Sequence, residues 1–277
     1  MAKTFLSDPR DYQIATLSAL LIFGWSQSVF DISPAQFLVT LVAAFATQAI
    51  CGVLIASRIE LRSAMITTLS LSLLLRADAL WPLALAAIIA IGSKFIFRFN
   101  NKHIFNPANI AIIAIVTFTS AAWVSPGQWG SAVWFVALLA GAGMFVTYRA
   151  ARFDVPLIFL ATFALLIFAR AIWLGDPLAI PLLRLQNGAL LLFAFFMISD
   201  PKTTPDGSIA RAGFAVTAAL ISYVLIYNFY MADGVFYALG AVCLIRPIFE
   251  KFDPAPAYRW DDRVSPILKL HNGPHNA

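Results

Sequence analysis

Long apolar runs separated by short polar connections recur along the whole chain. They span about 12 to 30, 35 to 56, 63 to 75, 79 to 97, 107 to 124, 131 to 147, 155 to 174, 185 to 199, 209 to 230 and 234 to 249. Most are long enough to cross a hydrocarbon core of about 30 Å as helices, and most end at residues typical of helix ends. The pattern predicts ten membrane-crossing helices in one domain that covers residues 1–252.

Composition agrees with this interpretation. The 277 residues are 61% hydrophobic and only 12% charged, with a mean hydropathy of +0.82, which excludes a water-soluble globular domain. Because the apolar runs are long, backbone hydrogen bonding in lipid requires a helical bundle and not a barrel. We therefore predict an all-α polytopic protein that lies in the lipid bilayer.

The basic residues indicate how the chain is oriented. If the N-terminus is cytoplasmic, only Arg76, Arg170 and Arg184 fall on the opposite side, which leaves 16 of the 19 Lys and Arg on the cytoplasmic side. Such an excess follows the positive-inside rule. Both termini are predicted to be cytoplasmic, and residues 253–277 form a polar, extended or disordered tail. The basic residues do not cluster on one face, so nucleic-acid binding is not expected.

The third and eighth runs are the shortest of the ten. Each corresponds to about 20 to 23 Å of helix, which is short for a straight crossing. They occupy matching positions in two sets of five, and five crossings per set invert the second set relative to the first. Short segments at matching places in inverted halves indicate a binding site near the pseudo-two-fold axis. Repeat one would cover about 12–124, and repeat two about 131–250.

A polar cluster separates the fourth and fifth runs, in the stretch KFIFRFNNKHIFNPANIAIIAI that begins at Lys94. Asn106 as N-cap and Pro107 at the first helical position explain a helix start. Asn109 lies one turn later and adds two donors and an acceptor that a cap does not need. The residues alone leave two interpretations open, helix capping and the binding of a polar ligand.

A second polar cluster, Ser199 to Gly207, follows the eighth run. It could be a tight interfacial turn. However, Asp200 ends an apolar helix, where a carboxylate is unfavourable unless Lys202 or a ligand donor compensates. Asn187 begins the eighth run and is explained more simply as a helix cap than as a site. Arg76 is interpreted as an interfacial residue whose head group reaches water.

Several chemistries are excluded. Cys51 and Cys243 lie inside apolar runs, so neither a disulfide framework nor a thiolate metal or iron–sulfur site is expected. His103 is the only histidine outside the tail, so haem with two histidine ligands is excluded. The chain contains no Walker A loop, GxGxxG, HExxH, GxSxG or CxxC motif.

Three stretches occur in an order that resembles a known family. They are FNPA (105–108) after Lys94, SDPKTTP (199–205) after a helix opened by Asn187, and DGVFYALGAVCLIRPIFE (233–250). The resemblance is to the membrane subunits NqrB and RnfD of the sodium-pumping NADH:quinone oxidoreductase and the Rnf complex. It implies two inverted five-helix repeats, a plan shared with urea channels. It also implies a subunit of a membrane oxidoreductase in the bacterial inner membrane, with other redox or membrane subunits as partners.

The resemblance further implies a non-covalent flavin, riboflavin or FMN, at the cytoplasmic side. Asn106 and Asn109 would contact the ring, and residues of the second polar cluster would close the site from the other repeat. Amide side chains match the N3–H and carbonyl groups of a flavin. The candidate cofactor-binding residues are Asn106, Asn109, Lys94, Asp200, Lys202, Thr203 and Asn187.

One departure from the family pattern limits this expectation. Ion-pumping members carry a covalent FMN on a threonine in a Ser-x-Ala-Thr type motif, in a loop after the NPA helix. The corresponding stretch here, TSAAWVSPGQWGS (119–131), lacks that motif. Covalent FMN is therefore not expected.

Two other functions remain open. A transporter or channel could use the same bundle, with its substrate passing between the third and eighth segments near Thr67 and Leu192. A scaffold could bind a partner through the basic cytoplasmic loops without any cofactor.

Overall fold

The computed structural model describes residues 8–26, 33–55, 59–100, 102–124 and 133–260. Over these ranges the helices are α1 (Pro9–Ser26), α2 (Pro34–Leu54), α3 (Leu61–Leu74), α4 (Trp81–Ile96), α5 (Pro107–Phe118), α6 (Val133–Arg149), α7 (Asp154–Leu174), α8 (Ala179–Leu185), α9 (Gly188–Leu192), α10 (Ser208–Tyr227) and α11 (Gly234–Phe252). A π-helical segment, Phe193–Met197, continues α9. The outer ends of the first two predicted runs, most of the loop 119–131 and residues 261–277 lie outside the described ranges.

Each of the ten apolar runs coincides with a helix, and α8 is an additional short one. By length and composition, α2, α7 and α10 can cross a membrane. A fourth candidate is α8 together with α9 and the π-helical segment, which bends by 50° at the break. The chain is thus a helical, multi-pass membrane protein. Helices α3 to α5 are shorter than a full crossing, and the prediction of ten crossings stays a prediction.

Four short strands depart from the purely helical expectation. β1 (Leu75–Ala77) pairs antiparallel with β4 (Ala122–Val124), so the predicted fifth run does not stay helical to residue 124. β2 (Arg98–Phe99) and β3 (Lys102–His103) form a hairpin after α4. The strands pair backbone groups that the short helices α3, α4 and α5 leave beyond their ends.

Side-chain caps fix several helix starts. Asn106 Oδ1 accepts a hydrogen bond from the Asn109 N–H at 3.1 Å, and Asn187 Oδ1 accepts one from the Leu190 N–H at 3.1 Å. Ser33 and Gln36 form a reciprocal capping box at α2. The capping roles expected for Asn106 and Asn187 are therefore present, whatever else the two residues do.

Arg76 corrects the expectation that it reaches water. It is only 4% exposed, and its guanidinium donates to the carbonyls of Ser72, Leu73 and Leu75. These carbonyls include groups that the last turn of α3 leaves without helical partners. The arginine therefore closes the end of a short helix inside the bundle.

The two halves of the chain pack their helices in the same order. In the first half α1 and α2 pack on α3, α2 on α4, and α4 on α5. In the second half α6 packs on α9 and the π-helical segment, α7 on that segment and on α10, and α10 on α11. Contacts of α5 with α11 and of α1 with α6 join the halves. At this junction the two polar clusters approach each other.

Candidate functional site

A cavity of about 360 Å³ opens at the end of the bundle where α1, α3 and α7 begin and α2, α4 and α6 end. We call this the cavity end. Helices α1 to α6, the π-helical segment, the turn after it and Trp260 all contribute to the lining. The volume lies in the range that small-molecule ligands occupy. Both halves of the chain therefore build one site.

The first wall, formed by α2, α3 and α4, centres on Lys94. Its Nζ donates to Gln48 Oε1 at 3.0 Å and to Ser63 Oγ at 3.2 Å. Both partners are neutral, and within the described ranges Lys94 has no carboxylate as an ion-pair partner. Gln48 is only 2% exposed. The wall thus presents a cation held by neutral groups.

The second wall centres on Asp200. Its Oδ1 accepts from the Lys202 N–H at 2.9 Å, and its Oδ2 accepts from Asn106 Nδ2 at 3.3 Å. His103 Nε2 lies 3.5 Å from Oδ2, close enough for an ion pair but without hydrogen-bond geometry. Burial favours the protonated acid, but His103 and the Lys202 N–H outweigh it and hold the pKa of Asp200 below its ordinary value.

These contacts explain how a carboxylate is tolerated after an apolar helix. Compensation comes from the backbone N–H of Lys202 together with Asn106 and His103. The Lys202 ammonium instead donates to the Tyr258 carbonyl at 3.4 Å. Asn106 joins the halves, because its amide caps α5 and also donates to Asp200.

The structure gathers only part of the candidate set. Lys94, Asn106, Asp200 and Lys202 line the cavity. Asn109 does not, because it is fully buried and its Nδ2 donates to the Phe236 carbonyl at 3.0 Å. That leaves three residues of the set outside the lining, and they are Asn109, Thr203 and Asn187.

The other two excluded residues have local structural contacts. Thr203 is buried, and its hydroxyl donates to the Asp200 carbonyl at 3.2 Å, which stabilises the turn. Asn187 lines a much smaller pocket of about 30 Å³, together with Asp233 at the start of α11. This pocket lies where α9 and α11 begin, and we call it the opposite end.

Sequence reasoning missed Gln48, Ser63 and Trp260, all of which line the cavity. Gln48 had a usable signal, because a polar side chain within an apolar run is costly and often functional. Ser63 and Trp260 had none, since their positions depend on how α3 rotates and where the chain turns after α11.

A buried ionic network supports the second wall from outside. Asp206 accepts from Lys102 Nζ at 2.5 Å and from Arg152 at 3.1 Å. Arg246, with no exposed surface, donates through Nη1 to the carbonyls of His103 at 3.1 Å and Lys202 at 2.9 Å. Arg246 therefore ties β3 of the first half to the Asp200 turn of the second.

The segment Asp253–Trp260, which we call the strap, crosses the cavity end. Asp253 Oδ2 accepts from the N–H groups of Ile209 and Ala210 at 2.8 and 3.0 Å and so caps α10. The Tyr258 N–H donates to Asp206 at 3.1 Å. The Arg10 guanidinium lies 4.8 Å from the ring centroid of Trp260. The strap therefore places an aromatic ring at the rim of the cavity.

The second half of the chain matches a known protein family. Residues 124–257 match the family model described as "NQR2, RnfD, RnfE family". Those residues carry the second wall, its ionic network and most of the strap. This chain is a member of the NQR2, RnfD, RnfE family through residues 124–257. The resemblance deduced from the sequence is thus confirmed.

Relatives of this family member are found in Escherichia coli, where they are named as one subunit of the ion-translocating oxidoreductase complex. The proteins of Escherichia coli O1:K1 / APEC and of Escherichia coli O45:K1 (strain S88 / ExPEC) are each 30% identical over 131 residues, which is 47% of this chain. The counterpart in Escherichia coli O9:H4 (strain HS) is 29% identical over 131 residues. The match spans 36% of the length of these relatives.

Proposed function

We propose that this chain is a membrane subunit of a redox-driven, ion-translocating complex, and that it holds a non-covalent flavin in the cavity. It would pass electrons between partner subunits. The observation that carries the proposal is the convergence, in one cavity, of Lys94 and Gln48 from the first half with Asn106 and Asp200 at the junction of the halves. The name of the relatives, which assigns them to an ion-translocating oxidoreductase complex, supports the same role.

The residues present fit a flavin. A flavin ring offers hydrogen-bonding edges and large apolar faces, and when bound it supplies electron transfer in one- or two-electron steps. Gln48 and Lys94 retain donors for the ring carbonyls. Phe95, Phe195 and Phe196 line the cavity and would pack against the faces of the ring.

We also propose that the bundle is built from two inverted five-helix repeats with the cavity at the cytoplasmic face of a bacterial inner membrane. The equal order of helix neighbours in the two halves supports the repeat. The excess of Lys and Arg in the connections at the cavity end supports the orientation. The partner subunits would then approach from the side to which the cavity opens.

The direct test is to purify the full chain in detergent, record its absorption near about 450 nm, and identify any released cofactor by mass spectrometry. We expect bound flavin in the wild-type protein and less of it in Gln48→Leu, which removes a cavity amide. Thr40→Val is the matched control, because Thr40 is equally buried on α2 but does not line the cavity.

Two results would contradict the proposal. One is a folded wild-type protein that carries no flavin and binds none when flavin is added. The other is solute uptake into liposomes by flavin-free protein, which would instead favour the transporter that the broken helix α8–α9 also allows.

A further inference from the structure

The cavity has a surplus of positive charge. Four basic residues line it against two carboxylates, Glu60 and Asp200, and the four are Arg10, Lys94, Arg98 and Lys202. Glu60 pairs with Arg10 at 2.8 Å, and Asp200 accepts from groups of the second wall. Both carboxylates are therefore engaged, and the cavity would favour a ligand that brings negative charge.

The surplus is concentrated at Lys94. Two of its three N–H donors reach Gln48 and Ser63, both neutral, which leaves one donor for a ligand. A buried ammonium is expensive unless it is paired with a negative group. Since the described part of the chain offers it no such partner, an anionic ligand group would supply one.

Gln48 adds an independent observation. Its Oε1 accepts from Lys94, whereas its Nε2 has no acceptor among the described residues, although Gln48 is only 2% exposed and lines the cavity. A buried amide donor without an acceptor costs free energy. An oxygen-rich group placed beside Lys94 would satisfy this donor.

The start of α3 completes the arrangement. Ser63 lies in the first turn of this 14-residue helix, and Glu60 at the N-cap makes no side-chain hydrogen bond to it. The positive end of the helix dipole and first-turn N–H groups without a side-chain cap therefore adjoin Lys94. Together with Gln48 and Lys94 they form a set of donors suited to phosphate oxygens.

We propose that Lys94, Gln48 and Ser63 form a phosphate subsite, so that the cavity takes a phosphorylated flavin such as FMN, held non-covalently, in preference to riboflavin. This inference rests on the proposed function and specifies its ligand. All three residues precede residue 124, so the matched family region does not contain them.

The test compares FMN with riboflavin on the flavin-stripped full chain, with binding followed by quenching of flavin fluorescence. We expect FMN to bind at least about tenfold more tightly, because charge-assisted hydrogen bonds are roughly twice as strong as neutral ones. Lys94→Gln should weaken FMN binding by about tenfold and change riboflavin binding by less than about threefold. Lys251→Gln, an exposed cation at the same end, should change neither.

A second measurement needs no variant. Inorganic phosphate should compete with FMN for the wild-type protein and leave riboflavin binding unchanged. Equal affinities for FMN and riboflavin, or no effect of phosphate on FMN binding, would overturn the phosphate subsite while the flavin proposal stands. If neither flavin binds, the proposed function fails, and the subsite proposal fails with it.

Discussion

The two walls of the cavity handle their charged groups in opposite ways. On the second wall, Asp200 receives donors from Asn106 and Lys202 and has His103 nearby, so the chain itself satisfies the carboxylate. On the first wall, Lys94 is held by two neutral groups and keeps a donor free. A satisfied group fixes geometry, whereas an unsatisfied one recruits a ligand. The second wall is thus a rigid support and the first wall the recognition surface.

The largest expected effect comes from removing the connection that makes the second wall rigid. Arg246→Met would strip the buried donor from the His103 and Lys202 carbonyls and leave Glu250, 3.4 Å from the arginine Nε, without its partner. Breaking a buried ion pair costs about 3–5 kcal/mol. We expect a large loss of thermal stability in detergent, measured by intrinsic tryptophan fluorescence.

Lys251→Gln is the control for that variant, because Lys251 is an exposed cation on the same helix. Its unfolding temperature should match that of the wild type. An Arg246→Met protein as stable as this control would show that the two halves do not depend on Arg246 for their junction.

The second effect tests whether Asp200 is satisfied as a carboxylate. Because its pKa is lowered in the folded state, its contribution to stability is complete above the ordinary value of 3.8 and is lost as the pH falls through the folded value. Asp200→Asn should therefore be less stable than wild type at neutral pH, by about 1.5–3 kcal/mol for a hydrogen bond to a charged group. The difference should shrink in acid.

Unfolding measured at several pH values checks this sign. Asp176→Asn serves as the control, because Asp176 is a partly exposed carboxylate paired with Arg170 away from the cavity. If the stability difference between Asp200→Asn and the wild type stayed constant down to low pH, the carboxylate would not be the stabilising form.

The comparison of the walls also shows what the sequence could predict. Helix positions and the approach of Asn106 to Asp200 followed from apolar runs and from the order of crossings. Gln48 and Ser63 could not be paired with Lys94, because that contact depends on the rotation of three helices about their axes. The π-helical segment was not predicted either, since an inserted residue in a uniformly apolar stretch leaves no periodic signal.

A smaller effect is expected where α6 meets the π-helical segment. A Cβ atom at position 143 would lie 2.5 Å from Cγ of Phe195, a residue that lines the cavity. Gly143→Ala should therefore force a shift and cost about 1–3 kcal/mol by overpacking. Gly141→Ala, on the same helix with no atom within 4 Å of the added Cβ, should be neutral or stabilising. Thermal unfolding of the two variants side by side decides, and equal behaviour would rule out close packing at residue 143.

The smallest effect concerns the strap, which belongs to neither wall. Trp260→Ala removes the ring that Arg10 covers, a contact expected to contribute about 0.5–1 kcal/mol at a partly exposed site. We expect nearly unchanged global stability but faster hydrogen–deuterium exchange in the strap, particularly at the Tyr258 N–H that donates to Asp206. Arg259→Ala, the exposed neighbour of Trp260, should exchange like the wild type. Faster exchange confined to Trp260→Ala would mean that the aromatic contact holds the strap across the cavity end. Unchanged exchange would assign that role to Asp253 and Asp206 alone.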